Sequence, residues 1–387
     1  MISVFEIGVD GLSLEDSDRR KLQKDLRIRC SKYLKSYYLV LYSRNFSGYL
    51  REEKVSENLT VYYTGGNRFI VFFRILKLGY KLAKHNKIDL ITALDPFTCG
   101  LVAYLLKLMF KIPINVQMHF DYFSENYWDY FSYFSRCFSK LILNFILPRC
   151  DSFRVVSNEQ KRQLLNKGLG NKLIEVIPTP IDLGQIVEAS IRNNVCEKFR
   201  KSPNTKLLLY VGRLEWQKDL ITLIKAVGLV KKQFLDVRLI IIGIGSLETQ
   251  LRVLSRELAI EDDIIFLGSI QHQLLYSFYY SCDIFVISSR LEGRGVVVSE
   301  AAMCRMPTVA TRFTGSDEQI INGKTGFIVD IYDHKSFSDK ILVLLNNASM
   351  AKEFGNNAYD FVNSKNKKIN DIHALVSFWE KTAALKL

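Results

Sequence analysis

The sequence predicts an α/β protein with two doubly wound, Rossmann-like domains, each a mostly parallel sheet with helices on both faces. Two observations support this fold class. Short apolar runs alternate with amphipathic runs of helical period over residues 3–182, and the alternation starts again at residue 206. A chain of 387 residues also exceeds one ordinary core and fits two domains of about 150 to 200 residues each.

The first half alternates predicted strands with predicted helices. The strands are SVFEIGV, YYLVLYS, LTVYY, IDLITAL, PINVQMHF and SFRVVS, and the helices are Asp16–Lys35, Phe69–His85, Cys99–Phe110, Tyr127–Leu147 and one from Asn158. Two prolines in IEVIPTPID (Ile174–Asp182) end the series. We therefore assign the first domain to residues 1–185, followed by a linker of mixed charge from Leu183 to Asn204.

The second half repeats the alternation without repeating the sequence. Its predicted strands are KLLLYVG, VRLIIIG, DIIFLG, CDIFVIS, PTVAT and GFIV, with helices between them. We assign this second domain to residues 205–365. The pattern after Asp333 is helical to the end, and residues 366–387 form the last predicted helix.

Composition limits the possible partners. With 48% apolar and 24% charged residues, the chain has an ordinary soluble globular composition. The net charge is +13, and most of the surplus lies in the first half. A basic surface can serve nucleic acid, an anionic membrane or an acidic substrate. No RNP-like motif, zinc-finger spacing or long Lys/Arg block is present, so nucleic acid is not an expected partner.

Cysteine usage and hydropathy indicate the compartment. The seven cysteines are scattered and never form a Cys-x-x-Cys pair, which is typical of reduced thiols in a cytosolic protein. The N-terminus resembles neither a signal peptide nor an anchor. No run of 18 apolar residues occurs, so we expect a cytoplasmic protein whose membrane contact, if any, is peripheral.

The stretch from Ile287 to Thr308 combines a buried strand, a glycine turn and a helix stopped before Pro307. In open α/β sheets, ligands lie beyond the carboxyl ends of the strands, and a helix that starts there points N–H groups at an anion. Glu292 and Glu300 bracket this turn. By themselves, two acids at this spacing are also typical of a solvated helix face.

The wider pattern resembles glycosyltransferase family 4, the retaining nucleotide-sugar enzymes of the GT-B fold. The matching segments are Glu292 and Glu300 with seven residues between them, Pro307–Thr311, Thr314–Glu318, Val211–Asp219 and Leu239–Leu251. The resemblance is specific over residues 205–330 and loose in the N-terminal half. It implies two domains that face each other across a cleft, with the C-terminal helix crossing back to the first domain.

The resemblance assigns roles around the glycine turn. It implies that Glu300 hydrogen-bonds the ribose hydroxyls and that Glu292 contacts the donor sugar. It also implies that the backbone of four residues lies along the sugar and the β-phosphate: Gly293, Arg294, Gly295 and Val296. Arg294 departs from the family, which has an aromatic or apolar residue there. It indicates either an acidic donor sugar or an arginine turned to solvent.

Two cations follow the strand that ends at Gly212. A nucleotide-sugar leaves as a diphosphate, and the guanidinium of Arg213 and the ammonium of Lys218 can stabilise that charge in place of a metal. Alternatively, both are surface residues of a βα loop. We expect no cofactor and no metal, and Asp219 fits a helix cap. Further contacts to the donor are expected at four glycines: Gly212, Gly243, Gly245 and Gly268.

In the first half, His119 follows a strand end, and Asp121, a candidate substrate contact, lies two residues later. The histidine resembles the family residue that contacts the donor sugar, and an imidazole can exchange a hydrogen bond with a hydroxyl at neutral pH. Gly11 belongs to a candidate substrate loop after the first strand. Asp16 and Asp18 spell the Asp-x-Asp of metal-dependent transferases, but their place at a predicted helix start favours capping.

The sequence therefore predicts a metal-independent, retaining glycosyltransferase that moves a sugar from a nucleotide-sugar to a glycan or lipid-linked acceptor. The alternatives are another GT-B activity, such as a sugar-nucleotide epimerase or a phosphorylase, and a non-catalytic binding protein on the same fold. Aromatic residues and cations from Tyr127 to Cys150 are typical either of contact with an anionic membrane or of a core helix.

Overall fold

The computed structural model describes residues 1–9, 25–43, 50–129, 131–179, 195–369 and 372–385. The chain divides into two compact units. The first comprises residues 1–178 and 371–387, and the second comprises residues 179–370. Each unit is a parallel-sheet α/β structure, which confirms the predicted fold class.

The first unit contains an eight-stranded sheet in the order β3-β4-β2-β1-β5-β6-β7-β8. The strands are β1 (Ser3–Val9), β2 (Ser36–Ser43), β3 (Arg51–Lys54), β4 (Leu59–Gly65), β5 (Leu90–Ala93), β6 (Ile114–Met118), β7 (Ser152–Val155) and β8 (Leu173–Val176). Neighbouring strands are parallel except at the edge, where β3 pairs antiparallel with β4. Every residue of β5, β6 and β7 is buried, as expected for parallel strands covered on both faces.

The helices of this unit pack closely on the sheet and on one another. They are α1 (residues 25–31), α2 (Arg68–His85), α3 (Thr98–Phe110), α4 (Glu125–Trp128), α5 (Tyr133–Ile146) and α6 (Asn158–Asn166). A Cβ atom at Gly79 in α2 would lie 2.5 Å from Leu106 Cδ1 in α3. A side chain at position 79 would therefore require Leu106 to move.

The second unit contains a six-stranded, all-parallel sheet in the order β11-β10-β9-β12-β13-β14. The strands are β9 (Lys206–Val211), β10 (Val237–Ile242), β11 (Ile264–Phe266), β12 (Ile284–Ile287), β13 (Thr308–Thr311) and β14 (Gly326–Val329). The helices are α7 (Leu220–Lys231), α8 (Glu248–Glu257), α9 (His272–Ser281), α10 (Val296–Met303), α11 (His334–Asn346) and α12 (Ala348–Ile369). The core of this unit includes residues that precede β9. Cys196 is buried in that core, and Phe199 packs against the core.

The last helix, α13 (Ile372–Ala383), belongs to the first unit. Trp379 is buried and its ring meets that of Tyr37 edge-on at 5.8 Å. Thr382 Oγ1 hydrogen-bonds Ser152 Oγ in β7 at 2.8 Å. Asn115 Nδ2 donates to the same Ser152 oxygen at 2.8 Å, so buried polar contacts join α13 to strands β6 and β7.

Three local predictions were wrong. The single helix expected over Tyr127–Leu147 is two helices, because Trp128 turns into the core and donates from Nε1 to Tyr122 O at 3.1 Å. Ser132 is extended, with ψ 154°, and α5 begins after it. Strands β3 and β8 were missed, since β3 is a charged edge strand with no apolar alternation and β8 leads directly into the proline-rich end of the unit.

Among the described residues, no helix combines the length and the apolar content needed to cross a membrane.

Candidate functional site

The second sheet has a switch in connection order between β9 and β12. From β9 the chain proceeds to β10 and β11 on one side, and it then crosses to β12, β13 and β14 on the other. Where the connections from two neighbouring strands run in opposite directions, a crevice opens outside the carboxyl ends of those strands. Ligands of open α/β sheets bind in this crevice. Most of the residues predicted for the donor site follow β9 or β12, so they lie at this switch point.

Lys218 and Glu292 meet there. Lys218 Nζ contacts Glu292 Oε1, and the two side chains are only 16% and 10% exposed. Ser289 Oγ donates to the same carboxylate oxygen at 2.9 Å. Ser288 Oγ donates to the backbone oxygen of Lys218 at 2.8 Å. The loops after β9 and β12 are therefore fastened to each other by an ion pair and a hydrogen bond.

Arg213 lies five residues before Lys218 and differs from it in exposure. Its side chain is exposed, whereas its backbone oxygen accepts a hydrogen bond from the hydroxyl of Tyr210 at 3.2 Å. Burial and the charge of Glu292 raise the pKa of Tyr210, so this phenol stays protonated and keeps donating. Arg213 is thus anchored through its backbone and has an accessible guanidinium.

Two predicted glycines have a structural reason for their identity. A Cβ atom at Gly243 would lie 1.9 Å from the backbone oxygen of Gly212, and one at Gly245 would lie 2.3 Å from that of Leu214. The loops after β9 and β10 therefore touch backbone to backbone, which any side chain would prevent. Gly268 O accepts from the backbone N–H of Gly243 at 2.8 Å, and Gly268 itself adopts φ 68° beside open space.

The turn after β12 leads into α10 through Gly295, which adopts φ 76°. A Cβ atom there would lie 2.8 Å from Phe313 Cζ, so glycine is required both by the backbone and by packing. Gly293 is buried in this turn, and Val296 is the first residue of α10.

Glu300 is buried within α10. Tyr279 in α9 donates from its hydroxyl to Glu300 Oε2 at 3.1 Å. Burial and the charge of Glu300 raise the pKa of Tyr279, which keeps this donor protonated. The carboxylate of Glu300 is thereby held in a defined orientation.

Arg294 occupies the same turn, and its side chain is half-buried. Its Nη1 atom is buried and has no hydrogen-bond partner among the residues that the structure describes. Burial lowers the pKa of Arg294, and the nearby charge of Glu318 opposes that effect. The amide nitrogen of Gln319 donates to the backbone oxygen of Arg294, which fixes the turn from the loop after β13.

His119 and Asp121 belong to the first unit and follow β6. His119 is half-buried, and burial, with the positive charges of Arg154 and Arg27, lowers its pKa to about 3. The imidazole is therefore neutral at physiological pH. Asp121 Oδ1 accepts from two backbone N–H groups at 3.0 Å each, and Oδ2 accepts from Gln163 Nε2 at 3.1 Å. These contacts give Asp121 a structural role in shaping the loop after His119.

The buried Arg154 beside His119 was not expected from the sequence. Arg154 Nη1 donates to Gln117 Oε1 at 2.7 Å, and Nε donates to Ile177 O at 3.0 Å. Because Gln117 is two residues before His119, Arg154 joins that strand end to the segment that leaves the first unit. The available signal was a charged residue inside the otherwise apolar strand SFRVVS.

Some positions singled out in the sequence add no described contact to the candidate site. Gly11, Asp16 and Asp18 lie outside the described residues. Asp219 precedes α7 with φ 43°, and its Oδ2 accepts from Thr222 Oγ1 at 2.8 Å, so it is bonded to the first turn of that helix. In the described part of the chain, no three His, Cys, Asp or Glu residues are grouped as a metal site would require.

Two family models match the chain. The model for glycosyl transferases group 1 matches residues 192–361, and the model for glycosyltransferase family 4 matches residues 35–185.

Curated relatives match over part of their length. The capsular polysaccharide biosynthesis glycosyltransferase CapM of Staphylococcus aureus is 32% identical, over 45% of this chain and 46% of that protein. A D-inositol 3-phosphate glycosyltransferase of Pseudarthrobacter chlorophenolicus is 28% identical, over 60% of this chain and 53% of its own. The N-acetylgalactosamine-N,N'-diacetylbacillosaminyl-diphospho-undecaprenol 4-alpha-N-acetylgalactosaminyltransferase of Campylobacter jejuni is 25% identical, over 58% and 59%. The matched part thus spans about half the length of these relatives.

Solved structures share the fold along the whole chain. The sucrose-phosphate synthase of Thermosynechococcus elongatus superposes with a TM-score of 0.78 at 17% identity and covers 98% of each chain. HepE of Anabaena, in complex with UDP and glucose, superposes with a TM-score of 0.74 at 16% identity and covers 100% of each chain. At these identities the likeness establishes the fold.

Proposed function

The chain belongs to glycosyltransferase family 4, and from that premise we propose that it is a retaining enzyme that transfers a sugar from a nucleotide-sugar to a glycan or lipid-linked acceptor. The observation that carries this proposal is the meeting of Lys218 and Glu292 at the switch point between β9 and β12. A cation and an acid are held there by loops that a ligand at the sheet edge would contact. The relatives' names, which include a capsular polysaccharide enzyme and a diphospho-undecaprenol enzyme, support a glycan or lipid-linked acceptor.

The departing group of a nucleotide-sugar is a nucleoside diphosphate, so negative charge grows on its oxygens as the bond to the sugar breaks. The exposed guanidinium of Arg213 can bind these oxygens in a forked geometry, and the ammonium of Lys218 adds a point charge. Glu292 orients Lys218 before the donor arrives. When the donor binds, the same carboxylate can accept a hydrogen bond from a sugar hydroxyl.

The nucleoside end is assigned to Glu300. A carboxylate is a strong acceptor for vicinal ribose hydroxyls, and Tyr279 holds this one in place. In the first unit, the neutral imidazole of His119 can exchange a hydrogen bond with a hydroxyl of the sugar. Neither role requires a metal ion or a cofactor.

A membrane-proximal acceptor is favoured by the surface of α5. Its exposed apolar side chains recur at helical spacing: Phe134, Phe138, Leu141 and Phe145, of which Phe134 is 84% exposed. Arg136 and Lys140 lie on the same helix and both contact Glu125. We extend the proposal to peripheral binding of an anionic membrane by this exposed face, which we call the α5 face.

A nucleotide screen tests the core of the proposal. Thermal unfolding should be measured with UDP, GDP and dTDP, followed by hydrolysis of the matching nucleotide-sugars, since donor hydrolysis requires no acceptor. One nucleotide should raise the melting temperature, and its sugar conjugates should be hydrolysed slowly. Stabilisation without hydrolysis would favour a non-catalytic binding protein, and an epimerised product would favour the epimerase alternative. No effect of any nucleotide would contradict the proposal.

A further inference from the structure

Arg294 stands in the turn between Glu292 and α10. An apolar side chain would be satisfied by packing alone. Arg294 instead places a guanidinium in this half-buried site and leaves Nη1 buried without a partner among the described residues. An unsatisfied buried donor is costly, so the arrangement indicates a group that is present only when ligand is bound.

A second cation lies close to Arg294. Lys365 in α12 donates from Nζ to the backbone oxygen of Glu318 at 2.8 Å and lies over the ring of Phe361 at 3.9 Å. Burial lowers the pKa of Lys365, the charge of Glu318 opposes this effect and the charge of Arg294 adds to it. Both cations are therefore partly desolvated, and the charge of one carboxylate, that of Glu318, favours the charged form of both. Such an imbalance favours an incoming anion.

We propose that Arg294, supported by Lys365, binds a carboxylate on the donor sugar, so that the enzyme uses a nucleotide-activated uronic acid. The inference rests on the proposed function and names its substrate class. A planar carboxylate can accept two parallel hydrogen bonds from a guanidinium and brings the matching charge, whereas the hydroxymethyl group of a neutral hexose offers one oxygen and no charge. The donor is favoured over an anionic acceptor because Arg294 is two residues from Glu292 in the same turn.

The test compares binding of sugar pairs that differ only in the carboxylate. Isothermal titration should use UDP-glucuronate with UDP-glucose, UDP-galacturonate with UDP-galactose, and GDP-mannuronate with GDP-mannose, with UDP and GDP alone as references. In at least one pair, the unmodified protein should bind the uronate about 10-fold or more tightly than the neutral sugar. Arg294→Met should reduce that preference to nearly 1. Arg294→Lys should retain part of it.

Arg312→Met is the matched control, because Arg312 is an exposed arginine on the neighbouring loop that pairs with Asp317 at 3.0 Å. This variant should keep the full preference for the uronate. Equal binding of the uronate and the neutral sugar in every pair, or a preference that survives in Arg294→Met, would overturn the inference and leave the proposed function standing. Absence of binding by every nucleotide and nucleotide-sugar would overturn both together.

Discussion

Lys218 and Glu292 are 74 positions apart in the sequence, yet their side chains form an ion pair at the carboxyl edge of the second sheet. The pairing follows from the sheet order, which places β9 beside β12. Removing one partner of a largely desolvated pair leaves the other charge unmatched, which costs more than the loss of a surface pair. The same two residues therefore affect stability and proposed catalysis together.

Lys218→Met should lower the free energy of unfolding by about 3 kcal/mol, because Glu292 then stays buried without its counter-charge. It should also lower kcat for donor hydrolysis by about 100-fold, since one cation facing the departing diphosphate is lost. Urea unfolding and the hydrolysis assay measure the two effects. The double variant Lys218→Met, Glu292→Gln should recover most of the stability and none of the turnover.

Two controls separate these effects. Arg213→Ala should lower kcat by a similar factor and leave stability nearly unchanged, because its guanidinium is exposed. Lys232→Met, which changes an exposed lysine outside the site, should alter neither quantity. If Lys218→Met behaves like Lys232→Met, the ion pair has no energetic importance.

Chelation should leave activity unchanged. Arg213 and Lys218 are proposed to supply the positive charge that a divalent ion would otherwise provide at the diphosphate. Donor hydrolysis should be measured after dialysis against EDTA, with and without added Mg²⁺ or Mn²⁺. Loss of activity on chelation and its return with metal would show that the two cations are insufficient.

Glu300→Ala should weaken nucleotide binding by about 1 to 3 kcal/mol, because charge-assisted hydrogen bonds to the ribose are lost. Tyr279→Phe, which removes only the hydroxyl that orients this carboxylate, should have a smaller effect of about 1 kcal/mol. Titration calorimetry with the nucleotide identified in the screen gives both values. Unchanged affinity in Glu300→Ala would show that the ribose lies elsewhere.

His119 should contribute a pH dependence to stability with a definite sign. Its pKa in the folded protein is about 3, against an ordinary value of 6.5. Between these values the unfolded chain binds a proton that the folded protein does not, so the free energy of unfolding falls as the pH drops below about 6.5. Chemical denaturation at pH 5 and pH 7.5 measures this fall, which should be smaller in His119→Gln. An equal fall in both proteins would refute the assignment.

The α5 face should bind anionic vesicles reversibly and in a salt-sensitive manner. Flotation with anionic and neutral vesicles should show binding to the anionic ones at low salt, and Phe134→Ser with Phe138→Ser should reduce it strongly. Leu235→Ser is the control, because Leu235 is an apolar residue of comparable exposure in the second unit. A protein that stays in the soluble fraction throughout would exclude this membrane contact and point to a soluble acceptor.

Sequence patterns predicted the elements whose causes are local. The strand, glycine turn and helix from β12 to α10 depend on an apolar run and on a left-handed position at Gly295, and both are visible in neighbouring residues. The ion pair of Lys218 with Glu292 was not predicted, because it depends on which strands become neighbours. The backbone contact of Gly243 with Gly212 has the same long-range origin.

The wrong elements have long-range causes as well. The break between α4 and α5 follows from the burial of Trp128 in a core assembled from distant segments, which helical periodicity alone does not encode. Arg154 was overlooked because a charged side chain is seldom buried within an apolar strand. Here its partners are the side chain of Gln117 in β6 and the carbonyl of Ile177 just after β8, on either side of β7.

The position of α13 also fixes an order of events during synthesis. The ribosome makes residues 372–383 after the whole second unit, yet these residues bury Trp379 against Tyr37 in the core of the first unit. The second unit can therefore complete its core while the first still exposes the apolar surface that α13 will cover. The first unit therefore cannot bury Trp379 against Tyr37 until the C-terminal helix has been synthesised.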